Sequence, residues 1–149
     1  MSKHELRFKI AGKAQGLDRS RTASNGHRFD SEKNRTNKAI IRMKAERAAE
    51  DEGEILPLKC DGRGYSICLF VTVKPPKSYT KKRLRAIEMG KEHPTSKPDL
   101  DNVEKLFLDG LKGILEDDRM VTSLTSRKRY GESDETECLI LWNEEEEDE

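Results

Sequence analysis

Cysteine is scarce and unpatterned in this chain. Cys60, Cys68 and Cys138 are odd in number and contain no Cys-x-x-Cys pair, which excludes a zinc knuckle and a disulfide frame and leaves reduced, mostly buried thiols as the default. Hydrophobic residues are also few, 33% against 39% charged. That composition allows one domain with a modest core and flexible polar arms beside it. No apolar run approaches the length of a membrane span, and Met1-Ser2-Lys3-His4-Glu5 lacks an apolar signal region, so a soluble cytoplasmic protein is expected. There is no internal repeat. There is no glycine-rich phosphate loop either, and the length does not accommodate the nucleotide-sugar domain of an Asp-x-Asp transferase.

The formal net charge of zero hides an uneven split. Glu144 to Glu149 are all acidic, which leaves 29 basic against 23 acidic residues in 1–143, a net of +6. A basic body with an acidic tail suits a nucleic-acid binder, with residues 1–143 as the domain and 144–149 as a disordered tail. The tail either solvates the protein or competes for the basic groove.

One stretch, Ser96 to Lys128, organises the rest. Pro98 cannot donate a backbone hydrogen bond and disfavours helix at Lys97, so the chain arrives extended. Asp99 then suits an N-cap. Leu100, Val103, Phe107, Leu111 and Ile114 recur at helical spacing, with Gly113 as a stop signal. Asp101 and Lys105 are four apart and share a face. Asp117 and Asp118 follow in a turn. A strand running back antiparallel to this helix would gather Asp99, Asp101, Asp117 and Asp118. Clustered carboxylates repel unless a cation sits among them. Hard oxygen donors without Cys or His nearby point to Mg²⁺, Mn²⁺ or Ca²⁺, and Mg²⁺ held this way is usual for phosphodiester chemistry. An EF-hand is excluded, because Val103 and Glu104 stand where a ligand and the turn glycine belong.

The remaining pattern reads as an α+β domain with a small mixed sheet packed against helices. Alternation over Glu5–Ala11 predicts a half-buried strand. Residues 12–28 lack periodicity and predict a mobile loop, either a linker or an arm that orders on phosphates. Ser31 caps a helix to about Glu52, stopped by Gly53. Tyr65–Val73 predicts a central strand buried on both faces. Tyr79–Met89 predicts a short helix anchored by Leu84 and Ile87. From Lys74 to Lys97 there are eight basic and two acidic residues, so Lys81, Lys82, Arg83, Arg85 and Lys97 are candidates to track a phosphate backbone. Met120–Tyr130 and Glu137–Trp142 close the domain as strands.

Lys97-Pro98-Asp99-Leu100-Asp101-Asn102, then Lys105, Asp109 and Asp117-Asp118, resembles the RusA family of Holliday-junction resolvases. The resemblance is dense over Lys97–Asp118 and looser to Lys128. It implies a RusA-like fold in a bacterial or phage-encoded protein acting in recombination and repair. It also implies a divalent metal on Asp99, Asp101, Asp117 and Asp118, with Lys105 supporting catalysis. The candidate catalytic residues are thus Asp99, Asp101, Lys105 and Asp118. Lys128 is a further candidate for the same neighbourhood and for DNA contact. The expected activity is Mg²⁺-dependent hydrolysis of branched DNA, with Mn²⁺ as substitute and no small-molecule substrate or membrane partner. Resolving a four-way junction takes two opposed nicks, and one domain without a repeat supplies one site, so a homodimer is expected. The other class that fits is a non-catalytic nucleic-acid binder in which the carboxylates are structural, as a helix cap and an i,i+4 ion pair.

Overall fold

A computed structural model describes residues 3–19 and 21–144, apart from the side chain of Arg21. Residues 145–149, most of the acidic run expected as a tail, lie outside the described residues. The elements in chain order are β1 (Lys3–Ala11), β2 (Arg21–Thr22), β3 (Arg28–Phe29), α1 (Glu32–Asp51), β4 (Tyr65–Val73), α2 (Lys81–Glu88), α3 (Leu100–Gly110), β5 (Val121–Tyr130) and β6 (Glu135–Asn143). A four-stranded sheet has the order β1-β6-β4-β5. β4 pairs parallel with β5 and antiparallel with β6, and β6 pairs antiparallel with β1. The expected α+β class and mixed sheet are therefore both present.

Local signals account for the helix that supports the site. The Ser31 hydroxyl accepts from the Asn34 amide at 3.1 Å and starts α1, and Gly53, at φ 70°, follows its end. Ile41, Ala45 and Ala49 fall at four-residue steps and are all buried. Their small volumes let α1 approach the sheet and α3 closely. Val103, Leu106 and Phe107 of α3 face the same core, beside Leu6, Phe8, Ile67, Leu69, Cys138 and Ile140 from the sheet. Both helices thus cover one face of the sheet.

Two expectations change as a consequence. β4 is central but buried on one face only: Tyr65, Ile67, Leu69 and Val71 are buried, whereas Ser66, Cys68 and Phe70 are half-buried. No helix among the described residues covers the opposite face, so the strand alternates although its sequence reads as continuously apolar. α2 starts later than its apolar pattern suggests, at Lys81, because the Thr80 hydroxyl accepts from the Arg83 amide and acts as its cap. It has no buried residue, and Leu84 is 41% exposed, so it is not anchored by its apolar side chains.

Gly110 fixes how closely α3 lies on α1. A Cβ there would sit 2.8 Å from Ile41 Cγ2 and 2.9 Å from Ile41 Cβ. Gly110→Ala should gain up to about 1 kcal/mol of helix propensity but lose about 1–3 kcal/mol to overpacking. The net expectation is a lower urea midpoint with an unchanged slope. A midpoint at or above that of the parent would show that the helix pair has room to spare.

Candidate active site

The chain does not arrive extended: it bends through Ser96, Lys97 and Pro98, with a cis peptide bond between Lys97 and Pro98, and enters α3 after Asp99. Asp99 occupies the N-cap position with φ −68° and ψ 139°, yet its side chain bonds none of the helix amides. Its exposed carboxylate is thus not consumed as a cap. Asp101 lies in the first turn, and Lys105 Nζ approaches its Oδ2 to 3.9 Å. Both side chains are about two-thirds exposed, 67% and 63%. Such a pair contributes only about 0.3–0.5 kcal/mol, so both charges are available to a ligand. Lys128, near the end of β5, donates to the Ser96 carbonyl at 2.5 Å and the Pro98 carbonyl at 3.1 Å. It pins the segment that leads into Asp99.

Beside this helix start opens a cleft of about 680 Å³. Lys13, Lys33, Lys74 and Lys97 line it together with Asp99 and Asn102. Part of its wall is Tyr79 and Tyr130, whose hydroxyls lie 3.1 Å apart. The Tyr79 hydrogen bond, and then burial, push Tyr130 up to about 12, so it stays neutral across the physiological range. The loop 12–19 is not a mobile arm. Buried Asn34 of α1 accepts from the Asp18 amide at 2.9 Å and donates to the Asp18 carbonyl at 3.0 Å. The Leu17 amide donates to the Asn102 carbonyl at 3.0 Å. At Gly16 a Cβ would meet Asn102 Cβ at 3.0 Å and Pro98 Cβ at 3.3 Å, so the backbone lies directly on the first turn of α3. Sequence reasoning misses Lys33, which carries no local signal, and counts Lys74 in the basic run to Lys97 without naming it as a site residue. Lys13 reads as part of a loop that is either a linker or an arm ordering on phosphates.

The second acidic pair lies elsewhere. Asp117 caps a short 3-10 turn, Asp118–Met120, and accepts from the Arg119 amide at 2.9 Å and from its guanidinium at 3.0 and 3.1 Å. The Arg119 amide, then its guanidinium, hold the Asp117 carboxyl below the usual carboxylate range. Asp118 is exposed and shares a pocket with Leu108, Leu111 and Lys112 at the far end of α3. The eleven residues of α3 span about 16 Å, so Asp99 and Asp101 stand at one end of the helix and Asp117 and Asp118 at the other. β5 does run back along α3, as shown by Ser126 Oγ donating to Glu104 at 2.9 Å and by Lys128 reaching Pro98. What it returns to the helix start is Lys128, not the carboxylates. Among the described residues, no group of three or more His, Cys, Asp or Glu side chains within one chain is placed to hold a metal ion. The four carboxylates that the resemblance implies as metal ligands are therefore not gathered in one place among the described residues.

The family model described as Endodeoxyribonuclease RusA matches residues 11–140. The chain belongs to the RusA family. The match takes in the held loop, α3, both acidic pairs, β4, β5 and β6 up to Ile140, and membership implies a Holliday-junction-resolving endodeoxyribonuclease. No curated protein sequence matches the chain. No helix among the described residues is long and apolar enough to cross a membrane.

Within this RusA domain the basic candidates divide. Lys97 lines the cleft and Lys128 supports its edge. Lys81, Lys82 and Arg85 are exposed on α2. Arg83 is committed internally, with its guanidinium 3.6 Å from the centre of the Tyr79 ring and 2.6 Å from Glu92, so it is the least available of the set. Asp109 faces α1, where Lys38 approaches it to 3.5 Å.

Replacing Lys128 by Met should leave the carbonyls of Ser96 and Pro98 without their donor. A destabilisation of about 1 kcal/mol is expected, with faster amide exchange confined to residues 96–102 and little change in the core of the sheet. Unchanged exchange in that segment would show that Lys128 does not hold it.

Proposed function

We propose that this RusA-family protein resolves four-way DNA junctions as a homodimer, by hydrolysis that depends on a divalent cation, Mg²⁺ with Mn²⁺ as substitute. The observation that carries the reading is the pairing of two uncapped, exposed carboxylates, Asp99 and Asp101, with a cleft walled by lysines. Lysines along a cleft neutralise and orient a phosphate backbone. Lys105, one helical turn beyond Asp101, is placed to meet the phosphate next to the carboxylates. Lys97 lines the entry to Asp99, and Lys128 keeps that entry in register. Carboxylate oxygens with no nearby sulfur or imidazole suit a hard cation. Asp99 and Asp101 supply part of such a donor set, while Asp118 stands at the far end of α3 and Asp117 is engaged by Arg119. The two nicks that resolve a junction call for two such sites, which a C2 dimer provides.

Asp99→Asn and Asp101→Asn should each lower junction cleavage by about 10²-fold or more, with DNA affinity equal or improved because a negative charge beside phosphate is removed. Cleavage of a mobile four-way junction on a gel, with binding measured in parallel, checks both. Normal cutting by both variants would show that the carboxylates serve only the helix.

Neutralising Lys81, Lys82 and Arg85 together should flatten the dependence of log K on log salt by about 0.9 for each phosphate that these side chains neutralise in the parent. A titration of binding between low and moderate salt measures the slope. An unchanged slope would mean that α2 faces away from DNA.

A further inference from the structure

Two tyrosines stand in the wall of the lysine-lined cleft, and a phosphate backbone alone gives aromatic rings no partner. We propose that the cleft takes one unstacked nucleotide of the strand that passes Asp99, with its base against Tyr79 and Tyr130, and that this is how the protein tells branched from linear DNA. The inference rests on the nuclease reading above and names what that site selects.

The first support is size and lining. The cleft holds about 680 Å³, inside the range of about 300–1,000 Å³ found for sites that enclose one small molecule. A duplex does not enter such a space, since its major groove alone is about 12 Å wide. One nucleotide swung out of the stack does. Part of the wall suits a base. Val73, which pairs with Tyr130 across the sheet, and Pro76 line it together with the two tyrosines. Both tyrosines are half-buried, so a ligand in the cleft reaches them. Lys13, Lys74 and Lys97 suit the attached phosphates. Asp99 and Asn102 line the same cleft, so a nucleotide lodged there belongs to the strand whose backbone crosses the start of α3.

The second support is the way Tyr79 is held. Its ring meets Tyr130 edge-on, with centroids 6.1 Å apart and an interplanar angle of 72°. The Arg83 guanidinium lies 3.6 Å from the ring centre and is itself fixed by Glu92 at 2.6 Å. The Tyr79 amide donates to the Pro76 carbonyl at 3.1 Å. A ring fixed before a ligand arrives loses little freedom when a base stacks on it.

The third is a spare proton. The two phenol hydroxyls lie 3.1 Å apart and share one hydrogen bond. Each carries a proton, and the bond between them uses one. Neither hydroxyl has a further partner among the described residues. The second proton is left to donate to an acceptor on a base edge or to a phosphate oxygen.

Selectivity follows from what extrusion costs. In a linear duplex each base is paired and stacked on both sides, and taking it out costs free energy that falls when the base is already unpaired. At the crossover of a four-way junction the stack is interrupted, so the cleft fills there at less cost.

Binding measured without added divalent cation, so that nothing is cut, tests the pocket. Four-way junctions are made in pairs. One member carries an unpaired base at a single position flanking the crossover, and the other an abasic residue at the same position. Neither costs the protein a base pair, so the two differ in what lies against the tyrosines. At one position the base-bearing junction should bind about 5- to 150-fold tighter. Tyr79→Leu should abolish that ratio, and Tyr79→Phe, which keeps the ring, should retain most of it. Equal binding at every position, by a protein that prefers junction to duplex and cuts it once Mg²⁺ is added, would overturn the pocket and leave the nuclease reading standing. An unchanged ratio in Tyr79→Leu, with both junctions bound more weakly, would reduce Tyr79 to an anchor for α2 and overturn the pocket as well. A protein that neither prefers junctions nor cuts them with Mg²⁺ or Mn²⁺ fails the nuclease reading, and the pocket falls with it.

Discussion

Parallel pairing of β4 with β5 is the constraint on which the rest of the molecule depends. Two parallel neighbours cannot be joined by a tight turn, so the chain must cross back over the sheet. α3 makes that return and is therefore antiparallel to both strands. Its first turn falls at the end of the sheet where Val73 leaves β4 and Lys128 approaches the end of β5. The carboxylates of that turn, the lysines of the cleft and the carbonyls that Lys128 holds all meet there. The same return carries Asp117 and Asp118 to the opposite end. A single topological requirement thus both creates the lysine-lined end of the fold and divides the acidic residues of the signature.

Held apart in this way, the acidic pairs do different work within one chain. Asp117 is bound by Arg119 and shapes the turn into β5. Asp99 forgoes the usual capping bond, although it sits where one would form. A helix start ordinarily draws a carboxylate inward to its free amides. Here the side chain stays outward, and loop 12–19 instead lies along the first turn through Gly16 and Leu17. Backbone packing therefore supports the helix start while the carboxylate faces solvent.

Sequence periodicity reads the helices and strands well where local chemistry decides them. Ser31, Gly53 and the Ile41, Ala45, Ala49 series mark α1 almost to the residue, and the stripe from Leu100 to Ile114 marks the start of α3 but overruns its end, which falls at Gly110 and not at the Gly113 stop. What stays illegible depends on partners distant in sequence. β4 reads as doubly buried because its composition reflects strand propensity, while its actual burial depends on helices that cover one face only. Loop 12–19 reads as mobile because its anchors, Asn34 and the Asn102 carbonyl, lie in other elements. Arg83 reads as free because Glu92, nine residues on, is not at helical spacing from it, and Tyr79, four residues before it, precedes the start of α2. The separation of the acidic pairs is accessible in principle, since a helix of known length has known reach, but the return strand suggests the opposite.

The lysine-walled cleft draws on residues from both ends of the chain: Lys13 follows β1, and Asp134 lies in the turn before β6. The Asp134 carbonyl accepts from the Gly12 amide at 2.9 Å, and its side chain accepts from the Lys74 amide at 2.9 Å. A ribosome must therefore deliver nearly the whole domain before the cleft closes. A nascent or truncated polypeptide has the acidic signature without the groove that would lead a backbone to it. The cleft is thus a property of the completed sheet and not of the acidic segment alone.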